Sequence, residues 1–235
     1  MKKTVHKSET RGFANHGWLK SHHTFSFASY QNLERMNFGM LRVLNDDIVQ
    51  PKMGFGTHPH KNMEIISIPI TGALSHKDSM ENKRSIEVGE VQVMSAGTGV
   101  THSEFNDSKT EETNFLQIWI IPNKEEVPPY YDQHFFNSNA CKNKFQTLVS
   151  PRNKTVKGSL PVYQDAYIYK IDLDNNFSIP YTLNNAAYFF LIEGEVSIAD
   201  EKLNARDALG IEDIKEVTIS AHQKSKLLVI DVPMI

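Results

Sequence analysis

From Phe38 onward the chain is cut into short apolar runs by glycine, proline, asparagine and aspartate, and this punctuation limits the possible folds more than any other feature. The runs Ile65–Ile70, Val91–Met94, Phe115–Ile121, Tyr167–Leu173, Tyr188–Ile192 and Leu227–Val232 are of strand length and rich in Ile, Val, Phe and Tyr. None sustains the period that would keep one face of a helix apolar. An all-β chain of the sandwich or barrel kind is expected.

The layout also repeats. Ile68-Pro69-Ile70-Thr71-Gly72-Ala73-Leu74-Ser75 and Leu191-Ile192-Glu193-Gly194-Glu195-Val196-Ser197-Ile198 each read as a strand, a glycine-bearing tight turn and a strand. Each leads through a further turn into another apolar run, Gly89-Glu90-Val91-Gln92-Val93 in one half and Arg206-Asp207-Ala208-Leu209-Gly210 in the other. Self-similarity at this spacing predicts two tandem barrels. Residues 1–122 are assigned to the first, with an N-terminal arm, and 146–235 to the second. The segment 123–145, which contains Val127-Pro128-Pro129, is expected to be an irregular connection.

Several classes of function are disfavoured. The formal net charge is -3 and no block of like charges appears, whereas nucleic-acid binding draws most of its affinity from basic stripes on phosphates. No direct nucleic-acid partner is expected. The single cysteine, Cys141, excludes an intramolecular disulfide and reads as a bystander. Met1–Thr10 is polar, without the apolar centre of a signal peptide. The most apolar stretch, Phe115–Pro122, falls well short of the ~20 residues that span a bilayer. A cytoplasmic protein without membrane contact is expected.

Chemistry is concentrated in two glycine-rich segments of the first half. In Gly54-Phe55-Gly56-Thr57-His58-Pro59-His60, the two histidines are two apart and share one face of a strand. In Gly97-Thr98-Gly99-Val100-Thr101-His102-Ser103-Glu104, His102 and Glu104 repeat that spacing. Two such pairs on neighbouring strands give three imidazoles and one carboxylate facing inward. A lone His-x-His on a β surface more often makes ordinary hydrogen bonds; the second pair tips the reading towards one divalent transition metal per chain. Fe(II) is the first choice, and Mn, Ni, Co, Cu and Zn suit the same donors. Four protein ligands on an octahedral ion leave two positions for a small molecule.

With these motifs, the chain resembles the pirins, bicupins of the cupin superfamily. Arg11-Gly-Phe-Ala-Asn-His-Gly-Trp-Leu19, His23-Thr-Phe-Ser-Phe27, Leu41-Arg-Val-Leu-Asn-Asp-Asp47 and Gln117-Ile-Trp-Ile120 extend the likeness towards the bacterial pirin-like quercetin dioxygenases. The resemblance implies two tandem cupin-type (jelly-roll, RmlC-like) barrels and metal ligands at His58, His60, His102 and Glu104. It implies 2,3-dioxygenation of a flavonol such as quercetin with release of CO, O2 as co-substrate, and Glu104 as catalytic base. It equally admits a metal- or redox-sensing interaction protein with a regulatory protein partner. Glu64 stands where many cupins keep their carboxylate ligand, and is assigned a supporting role. In the second half Pro180 and Thr182 stand where His58 and His60 would be, and His222 has no partner motif, so a metal-free barrel is expected.

The remaining aromatics and histidines receive plainer readings. Trp18, Phe25 and Phe27 are expected to anchor the arm, and Trp119 and Phe115 to be core. Asn106 suits a strand-end turn. His76 and His134 show no constellation and are assigned to surface or packing.

Overall fold

The computed structural model describes residues 1–234. Its strands build two sandwiches, as the repeated layout predicts. In the first, a seven-stranded sheet runs in the order Tyr130–Phe135, Glu90–Ser95, Glu64–Thr71, Thr113–Ile120, Leu41–Val49, Leu19–His23, Gly12–Asn15. It packs on a four-stranded sheet ordered Gly54–His60, Val100–Phe105, Ala73–Asp78, Lys83–Glu87. Leu19, Val49 and Phe115 from the large sheet meet Leu74 and Ile86 from the small one. The second sandwich repeats this with Ala208–Glu212, Ala186–Glu193, Ser225–Val232 and Tyr167–Leu173 at the centre of its large sheet. These are two cupin-type domains.

The central strands are apolar without alternation because they are buried on both faces. Side chains of successive residues leave opposite faces of a strand. Phe189 and Leu191 therefore fill the second barrel, while Tyr188 and Phe190 enter a core shared with Leu44, Ile66, Ile68, Leu116 and Ile118 of the first. The two large sheets thus pack back to back. Each fully buried side chain of this size contributes roughly 1.5–3 kcal/mol, so this shared layer fixes the barrels to each other.

The duplication persists in detail at the two turn glycines. Gly72 and Gly194 have φ of 72° and 96°. A Cβ on Gly72 would lie 2.6 Å from Thr113 Oγ1, and one on Gly194 would lie 2.2 Å from Ser225 Oγ. Each glycine turns its chain against the first residue of the equivalent central strand, a place that an L side chain cannot occupy without displacement.

The barrels also exchange segments, which sequence reading did not anticipate. Lys2–His6, which falls within 1–122, pairs in register with Ala208–Glu212 at the edge of the second barrel's large sheet. It is held there by Lys2–Glu212 at 2.7 Å, Lys7–Asp207 at 3.0 Å and the His6–Tyr188 hydrogen bond at 2.7 Å. Within 123–145, Tyr130–Phe135 is a regular strand that covers the corresponding edge of the first barrel beside Glu90–Ser95. Both uses close an edge that would otherwise present unpaired backbone groups. The choice of edge is a long-range matter with no local sequence signal.

Deleting residues 1–7 should therefore destabilise the second barrel, although these residues lie at the far end of the sequence. A drop of roughly 5–10 °C in Tm is expected from the lost ladder and its buried partners. Hydrogen exchange should quicken at Ala208–Glu212 first; unchanged protection there would contradict the exchange.

Candidate metal centre

The small sheet of the first barrel positions the candidate ligands. Gly54–His60 and Val100–Phe105 run antiparallel, with His58 directly opposite His102 and His60 opposite Val100. Beyond His102 the register shifts, so that Glu104 pairs with Phe55. On the other side of the same strand, His102 faces Asp78 and Glu104 faces His76. One strand, Val100–Phe105, therefore carries both a candidate ligand histidine and the carboxylate, flanked by histidines on either side.

Three imidazoles converge. The ring centroids of His58 and His102 are 4.4 Å apart, those of His58 and His60 4.8 Å, and those of His60 and His102 4.9 Å. One nitrogen from each lies within 4.8 Å of the others. Glu104 belongs to a second such cluster with His102 and His76. Its carboxylate accepts from Ser67 Oγ at 3.2 Å and from Gln117 Nε2 at 2.9 Å. Ser67 and Gln117 are cross-strand neighbours in the facing large sheet, so the carboxylate is fixed from across the barrel.

The electrostatics suit a cation. Burial pushes the Glu104 carboxyl up to about 7, although both hydrogen bonds oppose the rise. Burial, reinforced by His58, lowers His60 to about 4. Burial, with His58, His60 and His76 close by, lowers His102 to about 2. Both rings are thus neutral and keep a lone pair at ordinary pH. His102 is only 2% exposed, yet neither ring nitrogen has a hydrogen-bond partner. A buried polar group left unpaired costs ~1–3 kcal/mol, and a bound metal ion relieves that cost. His58 Nδ1 lies 2.8 Å from the Gly56 carbonyl, which orients the ring and leaves Nε2 free. The residues present fit a divalent transition metal.

The centre opens into a cavity of about 510 Å³. Trp18, Phe27, Phe55 and Trp119 supply apolar walls, and Ser21, His23, Asn45 and Asp47 form a polar strip. In that strip, Ser21 donates to Asp47 Oδ1 and His23 Nδ1 lies 3.0 Å from Asn45 Oδ1. Burial pushes Asp47 up to about 7.

Several expectations need correction. Trp119 is not simply core: it lines the cavity with its ring 4.9 Å from that of His60. Trp18 and Phe27 line the cavity as well, whereas Phe25 is 1% exposed and anchors the arm as expected. Phe115 is core. His76 has a constellation after all, being buried between His102 and Tyr131 with Asp78 on Nε2; His134 is exposed. Asn106 braces a turn, donating to the carbonyls of Val49 and Glu111. Glu64 accepts from Ser95 Oγ and from the backbone N–H of Tyr163 in the second half, so it ties the two halves together. Ser67, Gln117, Asn45 and Asp47 were missed as site residues. Their signal was a polar residue inside an otherwise apolar strand.

Where the first barrel holds this centre, the second is packed with Tyr181, Phe189, Leu209, Val217 and Ile219. The molecule is thus a bicupin with one histidine-rich centre. The pirin family profile matches residues 4–120, and that of the quercetinase C-terminal cupin domain matches 147–232. The chain is 41% identical over 231 residues to quercetin 2,3-dioxygenase of Escherichia coli K12, covering 97% of this chain and 98% of that protein. It is 40% identical over 222 residues to a pirin-like protein of Caulobacter vibrioides, covering 94% and 95%. The crystal structure of the bacterial pirin YhhW from Escherichia coli in complex with nickel(II) matches with a TM-score of 0.94 at 39% identity, covering 100% of each chain. The chain belongs to the pirin family.

Metal uptake should release a proton near neutrality. The imidazoles of His60 and His102 are already neutral there, while Glu104 still holds a proton below about 7. Affinity should therefore fall as pH drops through 7. Calorimetry in buffers of different ionisation enthalpy should find roughly one proton released per ion at pH 6 and almost none at pH 8. Glu104→Gln should abolish the release; a release unaltered in that variant would contradict the assignment.

Proposed function

We propose that the chain is a metal-dependent dioxygenase that cleaves a flavonol such as quercetin at the 2,3 position with release of CO. In this reading His58, His60, His102 and Glu104 hold the ion, and Glu104 also takes the substrate proton. The observation that carries the proposal is an imidazole-rich, carboxylate-bearing centre at the floor of a largely apolar cavity. Its support is the close relationship to a protein named quercetin 2,3-dioxygenase, over nearly the full length of both chains. A cavity large enough for a small molecule beside the histidines, about 510 Å³, favours turnover over a purely metal-sensing interaction role.

When bound, a divalent ion supplies Lewis acidity that makes an enolic hydroxyl easier to ionise. Fe(II) is the first choice, with Mn, Ni, Co, Cu and Zn compatible with the donors; the nickel(II) complex of a close structural relative supports that breadth. The cavity, at about 510 Å³, lies in the range of small-molecule sites. Trp18, Phe27, Phe55 and Trp119 offer flat apolar surfaces to a fused aromatic ring system and exclude water from it. The Glu104 carboxylate would accept the proton of the flavonol 3-hydroxyl. Ser67 and Gln117 hold that carboxyl in place and reduce its freedom to swing away. The ionised flavonol is electron-rich and adds O2 across C2 and C4; the C2–C3 and C3–C4 bonds break, one oxygen atom of O2 stays on each of C2 and C4 in the ring-opened ester acid, and C3 leaves as CO with its own hydroxyl oxygen.

The test is loss of the flavonol absorption band in air with Fe(II), Mn, Ni, Co, Cu or Zn supplied in turn. Turnover should fall at least ~100-fold in Glu104→Gln, and should vanish in His60→Ala. A flavonol that survives every metal-loaded form would overturn the proposal.

A further inference from the structure

The reading above assigns no role to His76, yet His76 is among the most carefully oriented side chains in the barrel. It is 1% exposed and stacks on Tyr131, with ring centroids 4.7 Å apart and planes at 29°. Its Nε2 lies 3.0 Å from Asp78 Oδ2. Asp78 is itself clamped: the backbone N–H groups of Met80 and Asn82 donate to Oδ1 at 2.9 and 3.0 Å, and Asn82 Nδ2 donates to Oδ2 at 2.8 Å. An acceptor-only carboxylate on Nε2 fixes the Nε2–H tautomer and leaves the lone pair on Nδ1. That Nδ1 is buried and has no partner.

A carboxylate behind one imidazole nitrogen and an unpaired lone pair on the other is the arrangement that proteins build around metal-binding histidines. His76 has fitting neighbours. One donor atom from each of His76, His102 and Glu104 lies within 4.8 Å of the others, and all three residues are buried. The His58–His60–His102 cluster contains the same His102, and its His58 and His60 are only partly buried.

We propose that His76, His102 and Glu104 form a second, inner cation position, alternative to the outer one and sharing His102 and Glu104 with it. Two imidazoles and one carboxylate are a donor set that zinc and its neighbours accept. The inner position adds a second carboxylate to the charge balance, since Asp78 stands one imidazole behind the ion. A divalent ion in a dry interior needs such compensation. The set around an ion on His102 and Glu104 can therefore be completed either by His58 and His60 or by His76, so the barrel has an interior place to keep the ion when the outer imidazoles are displaced. This inference rests on the metal-centre part of the proposed function and not on flavonol turnover.

The test uses Co(II) alone, followed by calorimetry and by the visible spectrum of the bound ion. Wild-type protein provides the reference. His58→Gln/His60→Gln, which removes two partly buried imidazoles and leaves the interior intact, should still bind one Co(II) per chain with an altered spectrum. Adding His76→Ala should lower that residual affinity at least ~10-fold, and adding Asp78→Asn instead should lower it ~10–100-fold by releasing the ring's orientation. Circular dichroism checks that each variant is folded, and the single variants His60→Gln and His60→Gln/His76→Ala repeat the comparison should a multiple variant not fold. Residual binding that is absent, or indifferent to His76, would overturn the inner position while leaving the outer one standing. Wild-type protein that takes up no cobalt would overturn both.

Discussion

The structure depends on one piece of strand pairing: Gly54–His60 against Val100–Phe105, in the register that sets His58 opposite His102. A slip of one residue would turn every side chain on one strand to the other face. It would carry the imidazoles out of the barrel and leave Glu104 without company. Register is secured from both sides, by Asp78 and His76 opposite His102 and Glu104, and by the Ser67–Gln117 pair that reaches Glu104 from the facing sheet. The centre is a consequence of how two sheets are held at a fixed separation.

That separation is maintained largely by parts of the molecule that carry no chemistry. The second barrel fills its interior with Tyr181, Phe189 and Leu209 and gives its outer face to the core it shares with the first. Glu64 accepts a backbone hydrogen bond from Tyr163 across the junction, and Arg11 and Arg206 both approach Asp46 Oδ2, at 3.5 and 3.4 Å. A chain of this length can thus commit polar groups to the interior of one barrel because the other supplies apolar burial without such costs. The price is that the first barrel is not an independent unit.

The β class, the duplication and the four inward donors were legible in the sequence because each follows from short-range rules. Alternation at two-residue spacing fixes which side chains share a face, and two His-bearing pairs in glycine-rich strands leave few other meanings. What was not legible depends on long-range packing. Trp119 sits in a run, Phe115–Ile121, buried on both faces, and periodicity alone cannot tell the residue facing a cavity from its neighbours facing a core. His76 stands alone in the sequence, and its surroundings come from Val100–Phe105, Asp78 and Tyr131. The polar strip of Ser21, His23, Asn45 and Asp47 is assembled from two adjacent strands, and each polar residue taken singly looks like an ordinary interruption. The crossing of Lys2–His6 to the second barrel has no local signal at all.

The most direct measurement is a crystal structure of metal-loaded protein with anomalous data collected at the edge of the bound element. The account predicts one strong peak at the cavity floor, within roughly 2.0–2.2 Å of a nitrogen from each of His58, His60 and His102, with a Glu104 oxygen turned towards it. A peak remote from His102 and Glu104, or three imidazoles that stay apart when an ion sits among them, would contradict it.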